Sequence, residues 1–474
     1  MTMSTEGSVL VDEHGRQRIL HGINLVEKGT RAASEPSAFR GRWTTGDIAQ
    51  LQEIGLDSVR LGVLWAAVEP APGEYCEEHL RWLGAQLDQL HAAGLAVILD
   101  GHQDLFSQLF GDGAPAWATL TRQPFEETAL WSDAYLSSPA VHEALDAFWA
   151  DAPAADGVGI RTRYVAMWAM LAERFGAHPA VLGYDVLNEP TPGSGAPQLF
   201  GAILAQFADL TGQDLETVAA DFEDPAAKLA QLSHLEDAAL HRRLGDRLAP
   251  LLSEFEQGPI HAMYSEVVPA LRAADPTGLI LREHDYFGNI GIPAPMPPLA
   301  DTAWAYSPHG YDLVVDTEAM PLASRTRITT IFSRAAGTAQ RLGVPVIVGE
   351  WGAFGRHEGI AGHAAVQLEM FDGWAWSWFY WCWEPGFATS EAAQVLRRPR
   401  PRAVAGRDLR CGTSAGGGWR AAWTGRDAEA PSEFWVPPER DVEHLVDGRR
   451  QRLRREGGTV LLEPGPGEHR VRVS

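Results

Sequence analysis

The chain has 474 residues, 45% hydrophobic and 21% charged, which is enough apolar material for a large core and a length that suits a barrel with an appendage. A formal charge of −23 repels phosphate backbones and anionic bilayer surfaces, which argues against a nucleic-acid partner, and no run of about twenty apolar residues offers stable membrane insertion. Cys76, Cys382 and Cys411 are odd in number and lack CxxC spacing, which argues against a disulfide framework or a cysteine zinc site.

No basic cluster followed by an apolar core opens the chain, so a cytoplasmic location is expected, or a secreted one if a leader was trimmed. From there, short apolar runs alternate with amphipathic segments. Strands are expected at 18–24, 58–65, 96–101, 181–188, 278–282, 304–309, 345–350 and 376–381, with helices at 45–54, 78–93, 161–175, 261–273 and 327–342. Eight strands with intervening helices predict an α/β protein of the (β/α)8 TIM barrel class. Two insertions, near 111–159 and 191–257, interrupt the beat after the third and fourth strands. After Glu391 the composition changes, with a linker expected near 393–402 and a Gly-rich stretch over 412–418. Alternation at 432–436, 451–454, 459–463 and 469–473 predicts a small antiparallel β-sandwich. The expected division is a catalytic barrel over 1–396 and a sandwich domain over 397–474.

Glu189, in Val186-Leu187-Asn188-Glu189-Pro190, and Glu350, in Val348-Gly349-Glu350-Trp351, each end an apolar run that reads as a buried parallel strand. The carboxyl ends of barrel strands form the active face, so the two acids can converge. A retaining glycosidase needs such a pair about 5–5.5 Å apart, one acid protonating the leaving oxygen and the other attacking the sugar. Asn188 can hydrogen-bond the sugar 2-hydroxyl, which assigns Glu189 as acid/base and Glu350 as nucleophile. The other reading of Asn-Glu-Pro is a plain helix entry. His357-Glu358 and Glu283-His284-Asp285 lack the two-histidine spacing of a metallohydrolase, and Gly-Asp-Gly-Ala-Pro lacks a phosphate-loop lysine, so neither metal nor cofactor is expected.

The ordered set Arg60, His102, Asn188-Glu189, His309, Tyr311, Glu350 and an eighth-strand tryptophan resembles glycoside hydrolase family five. The resemblance implies that Arg60 keeps Glu350 ionised, that His309 and Tyr311 donate toward the nucleophile, and that His102 reaches sugar hydroxyls. Glu189 then needs a raised pKa and Glu350 a low one. In the run 376–384 the phase is ambiguous, with Trp381 the first choice for the sugar platform and Trp383 the second. The stretches His21-Gly22-Ile23-Asn24 to Lys28, Asp100-Gly101-His102-Gln103-Asp104 and Gly111-Asp112-Gly113-Ala114-Pro115 are similar to the endoglycoceramidase and glucosylceramidase branch. In that branch the residues matching Lys28, Gln103 and Asp104 line the first sugar subsite. The implied substrate is a β-glucoside with an apolar aglycone, glucosylceramide first. Sterol, flavonoid, oligosaccharide or β-glucan glycosides are the alternative, and a non-catalytic carbohydrate-binding protein is the reading from another class. Leu199, Phe200, Ile203, Leu204, Phe207 and Leu210 recur at helical spacing, which reads as a stripe packed on the barrel, or as a lipid-binding groove. Trp117, Trp131 and Trp149 either border the cleft or anchor a loop. Nothing in the sequence fixes an oligomeric state.

Overall fold

The computed structural model of the chain describes residues 3–33, 35–315, 317–353, 357, 359–414 and 418–474. Glu358 and residues 415–417 of the Gly-rich stretch lie outside them. The strands run β1 Met3–Glu6, β2 Val9–Asp12, β3 Gln17–Arg18, β4 His21–Leu25, β5 Ser58–Val63, β6 Ala96–Gly101, β7 Val181–Asp185, β8 Leu279–Arg282, β9 Trp304–Tyr306, β10 His309–Gly310, β11 Ile347–Val348, β12 Glu350–Trp351 and β13 Ser377–Tyr380. Eight of them form one parallel sheet in the order β11-β13-β4-β5-β6-β7-β8-β9. A parallel bridge from Tyr306 to Val346 joins its two edges, so the sheet closes into the expected barrel. Closure removes the exposed edges, and strands buried on both faces need the continuous apolar runs seen here.

The sixth and seventh strands are each broken. Pro308 has no N–H to give the ladder, and its carbonyl accepts from Gly349 N at 3.2 Å, so pairing resumes in a separate two-strand ladder, with His309 opposite Glu350. The fourth strand ends at Asp185, short of the expected Asn188, because the Val186 carbonyl accepts from Tyr164 Oη at 2.6 Å and Trp168 Nε1 at 3.0 Å instead of from a neighbouring strand. The helices fall within a residue or two of expectation, for example Thr45–Ile54 and Arg325–Leu342.

The tail forms two antiparallel sheets, the first of which includes the amino-terminal strands. One has the order β1-β2-β3-β14-β17-β21-β20 and the other β15-β16-β22-β18-β19, where β14 is Arg400–Val404, β15 Gly406–Thr413, β16 Trp419–Gly425, β17 Ser432–Trp435, β18 Val442–Val446, β19 Arg449–Arg450, β20 Arg454–Glu456, β21 Thr459–Leu462 and β22 Gly467–Val473. Three expectations are corrected here. The first expected strand, 18–24, is two strands in different sheets, since β3 pairs with β14 and β4 with the barrel. The expected linker 393–402 is the end of the helix Glu391–Leu396 followed by β14, because Arg400 turns inward onto Trp378 and Trp435 instead of into water. Of the expected strand 451–454, residues 451–453 fall between β19 and β20 and only Arg454 is in a strand, as the first residue of β20.

The sandwich core, with Ile19, Val404, Trp419, Trp423, Phe434 and Val471, sits below the barrel. Arg402 Nη2 donates to Gly55 O at 3.2 Å and Trp419 Nε1 to Asp372 Oδ2 at 3.3 Å, at the carboxyl ends of the helices Thr45–Ile54 and Ile360–Trp374 that lead into barrel strands. The sandwich therefore caps the amino-terminal end, opposite the face that carries Glu189 and Glu350. Among the described residues no helix is long and apolar enough to cross a membrane.

Candidate active site

Glu189 lies four residues beyond β7, and Glu350 opens β12. One carboxylate oxygen of each, together with a ring nitrogen of His309, lies within 4.8 Å of the others. So close an approach of the two oxygens fits the short carboxyl separation of a retaining pair, about 5–5.5 Å, better than the roughly 6.5–9.5 Å of an inverting pair.

Glu350 Oε2 accepts from Tyr311 Oη at 2.8 Å, and Oε1 accepts from Arg60 Nη1 at 2.8 Å. Arg60 is wholly buried and also meets Asp100 at 2.7 Å, Asp185 at 2.9 Å and Glu283 at 3.0 Å. One guanidinium thus serves four buried carboxylates, so its own charge is secured while theirs are not fully compensated. Burial pushes Glu350 up to about 7, opposed by His309 and Arg60 and reinforced by Glu189. The expectation of a low value is corrected: desolvation in this enclosed site outweighs the shared cation. Burial likewise moves Asp100 up to about 6 against Arg60.

Glu189 has φ 45°, a left-handed conformation that costs a non-glycine residue about 1–3 kcal/mol. Hydrogen bonds from both sides hold it. Its N–H donates to Glu283 Oε2 at 2.7 Å, and its carbonyl accepts from Thr191 Oγ1 at 3.1 Å and Gln103 Nε2 at 3.3 Å. On the side chain, Oε1 accepts from Asn289 Nδ2 at 2.7 Å and lies 3.0 Å from His309 Nδ1. Oε2 has no protein partner among the described residues.

Both acids open into a cavity of about 310 Å³. Its inner end is polar. Lys28 Nζ pairs with Asp104 and sits 4.6 Å from the ring centre of Trp381, whose other contact is a stack on His102 at 5.3 Å and 13°. Against its partial burial, Asp104 and then Asp112 raise the Lys28 pKa. Burial, then Lys28, holds His102 well below the usual histidine range. A neutral His102 donates from Nδ1 to Asp100 Oδ2 at 2.9 Å, which leaves Nε2, with no partner, as an acceptor. The outer end is apolar, lined by Phe200, Ile203, Phe207, Phe222, Leu244 and Leu248 of the second insertion. Lys28 and Lys228, the only lysines of the chain, both line this one cavity.

The stripe Leu199, Ile203, Leu204 and Phe207 packs on Leu240, Leu244 and Leu248 of the helix Ala238–Phe255 and on the loop residues Phe287 and Ile292. The expectation that it lies against the barrel wall is corrected, since the insertion helices make their own core and turn the remaining face to the cavity. Trp131 lines the cavity, whereas Trp117 and Trp149 anchor loops by donating to Glu69 O at 2.8 Å and Thr191 O at 2.9 Å.

Of the twelve site residues read from sequence, Lys28, His102, Asp104, Glu189, Tyr311, Glu350 and Trp381 line the cavity, and Arg60, Asn188 and His309 stand directly behind them. Gln103 braces the Glu189 loop through Asn188 O at 2.7 Å, and its Oε1 accepts from Phe106 N at 2.6 Å. Trp383 packs edge-on to Trp43 at 5.8 Å, outside the cavity, because Asn24 O accepts its N–H and turns the chain away. His309 faces Glu189 more closely than Glu350, at 3.0 against 3.8 Å. Glu283, Asn289, Asp100 and Asp185 carry no sequence assignment as site residues. Asp100 stood only within the stretch Asp100-Gly101-His102-Gln103-Asp104, and Glu283 only within the Glu283-His284-Asp285 run, read for metal. Among the described residues, three sets of acid and histidine atoms are compact enough to hold an ion: His102 with Asp104 and Asp112, Asp185 with Glu283 and His309, and Glu189 with His309 and Glu350. Each already holds or adjoins a protein cation, namely Lys28, Arg60 and His309.

Residues 12–386 match the sequence profile described as cellulase, glycosyl hydrolase family 5. Endoglycoceramidase I of Rhodococcus hoagii (strain 103S) is 29% identical over 473 residues, covering 98% of this chain and 84% of that protein. Endo-glycoceramidase II from Rhodococcus sp., solved as a ganglioside GM3 complex, superposes with a TM-score of 0.76 at 25% identity over 99% of both chains. The same enzyme solved as a lactosyl-enzyme intermediate gives 0.74 at 24% identity over 98% and 99%. With the profile spanning every strand of the barrel and both acids at the ends of its fourth and seventh strands, the chain belongs to glycosyl hydrolase family 5.

Proposed function

We propose that the protein is a retaining β-glycosidase that removes a β-glucoside or short β-linked glycan from an apolar aglycone, a glycolipid of the glucosylceramide type first, with Glu189 as acid/base and Glu350 as nucleophile. The observation that carries this reading is the pair of acids within 4.8 Å, through His309, at the polar end of a cavity whose outer end is apolar. The endoglycoceramidase names of the relatives support the same substrate class.

In the first step, Glu189 Oε2 gives its proton to the glycosidic oxygen as Glu350 attacks the anomeric carbon. The C–O bond to the aglycone breaks, and a glycosyl ester of Glu350 forms. Asn289 and His309 both donate to Glu189 Oε1, so they stabilise the carboxylate left behind and reserve Oε2 for the leaving group. Glu189 then takes a proton from water, whose oxygen attacks the sugar and frees Glu350. Lys28, Asp104 and His102 Nε2 serve the sugar hydroxyls, Trp381 offers its face to the sugar's C–H groups, and the remaining amide hydrogen of Asn188 is available to the 2-hydroxyl. In the same reading the chain divides into a catalytic barrel through 396 and a sandwich from 397 that β1–β3 complete.

The test compares glucose release from glucosylceramide, lactose release from lactosylceramide and hydrolysis of a chromogenic β-glucoside, together with labelling by a 2-fluoro-glucosyl inactivator. Cleavage of a glycolipid and a label on Glu350 are expected, with no turnover by Glu350→Gln. Hydrolysis of the chromogenic glucoside alone would remove the lipid aglycone, and a label elsewhere would overturn the nucleophile.

A further inference from the structure

We propose that Glu283, at the end of the fifth barrel strand, is a positioning residue for the acid/base: it holds His309 as an imidazolium and clamps the backbone of Glu189, so that one carboxylate sets both the charge beside the acid and its aim. The inference builds on the assignment of Glu189 as acid/base, and it extends to a residue outside the set legible in the sequence.

Glu283 is 1% exposed and follows β8 directly. Its Oε2 accepts the Glu189 N–H at 2.7 Å, the one contact that fixes the amide end of a left-handed residue. Its Oε1 accepts from Arg60 Nη2 at 3.0 Å and lies 3.2 Å from His309 Nε2. The approach of Nε2 is bent away from a straight hydrogen bond, so this contact acts mainly as an ion pair. Amide and guanidinium groups can only donate, so both oxygens of Glu283 act as acceptors there, which an anion does best; burial by itself raises Glu283 well above the usual carboxylate range, and His309, first among its neighbours, opposes that by favouring the charged form. The third neighbour, Nε2, then carries a hydrogen. At the other ring nitrogen, Nδ1 faces Glu189 Oε1 at 3.0 Å and Glu350 Oε2 at 3.8 Å, again only carboxylate oxygens.

Asn289 already donates to that same Glu189 oxygen. A histidine between three carboxylates, with a carboxylate on each nitrogen, is satisfied only when doubly protonated. Against burial, Glu283 first and then Glu350 hold it well above the usual range. The other charged groups around the pair are Arg60, Asp100 and Asp185, and His284 Nε2 accepts the His309 backbone N–H at 3.3 Å. This arrangement has the logic of a carboxylate that orients and charges a catalytic-site histidine from behind.

Two measurements test it. In the wild-type protein, uniformly ¹⁵N-histidine labelled, the imidazole pair that disappears in His309→Gln should show both nitrogens protonated at about pH 8, above the ordinary histidine range. A neutral ring there would overturn the proposal without any need for a Glu283 variant to fold. In Glu283→Gln, kcat on a β-glucoside with a poor leaving group should fall by roughly a hundredfold, as expected of a misaimed acid, and by less than about tenfold on an activated aryl β-glucoside, which needs little protonation. The acid limb of kcat/KM should move to higher pH, because Glu350 loses its nearest second cation. Equal losses on both substrates with an unmoved limb would mean that Glu283 only supports the fold, and would also overturn the proposal. Any β-glucoside that the enzyme turns over serves, so failure on ceramide substrates would count against the lipid aglycone and not against Glu283.

Discussion

Glu189 and Glu350 are chemically the same side chain, and their neighbours separate them. Glu350 receives a phenol and a guanidinium on its two oxygens, whereas Glu189 receives both donors on one oxygen and leaves the other to the cavity. Two outcomes follow at this scale. Glu189→Ala should lose about 10²- to 10⁴-fold in kcat on poor leaving groups, and on an activated aryl glucoside, where breakdown of the glycosyl-enzyme limits, it should regain activity with azide, which attacks that intermediate without a general base. Azide with no effect, and no glycosyl azide in the product mixture, would count against that role. As the proposed nucleophile Glu350 must be ionised, and burial holds it at about 7, so kcat/KM should climb as pH rises through about 7. Tyr311→Phe removes a hydrogen bond to the charged form, so the pKa rises further and the acid limb should shift to higher pH by up to about one unit. A limb left in place would assign it to another group. Arg60, His102 and Tyr311 were legible because each stands at a fixed place in an ordered motif set. Glu283 and Asn289 were not, because their bonds to Glu189 span 94 and 100 residues and no local pattern announces them.

Periodicity fixed the barrel elements well where a segment is long and buried on a regular face, as in Thr45–Ile54 and Ile160–Phe175. It failed where backbone groups found partners outside the ladder: at Val186, whose carbonyl is taken by Tyr164 and Trp168, and at Pro308, which cannot donate. The second insertion was legible as amphipathic helix but not as to what its face meets, because a helical stripe looks the same whether it covers a barrel or a cavity. Its role is open to measurement. Phe200 is half-buried, lines the cavity and stands near Phe222 at 6.3 Å between ring centres. Phe200→Ser should weaken binding of a long-chain glycolipid by about 1.5 kcal/mol, roughly tenfold in KM, with little effect on a short chromogenic glucoside. Equal effects on both would show that the side chain shapes the sugar end or the fold rather than the aglycone path.

Across the whole molecule, the sandwich and the barrel share surfaces that neither can leave exposed. Arg400 lies over Trp378 and Trp435, Trp435 abuts Gly55, and Ile19 of the β3–β4 connection belongs to the sandwich core. Removing residues 397–474 would bare this face and strip β3 of its partner β14. The truncated chain should melt at least about 5 °C lower or aggregate, since several kcal/mol of apolar burial are lost. The cap sits at the amino end of the barrel, so any truncated chain that stays folded should keep its KM for the chromogenic glucoside. A raised KM with an unchanged melting temperature would give the sandwich a part in binding instead.

Sequence alone determined the barrel, the two acids and most of the side chains at the polar end of the cavity, because alternating buried strands and helices admit few architectures and an ordered motif set marks the strand ends. Tertiary structure alone decided which groups surround those acids, that Trp381 rather than Trp383 faces the cavity, that the insertion helices build its apolar end, and that the first strands complete the carboxy-terminal sandwich. Each of these depends on contacts between residues far apart in the chain and on burial. Local pattern encodes neither, and only the packed molecule sets the competition between desolvation and a shared cation that places Glu350 near neutrality.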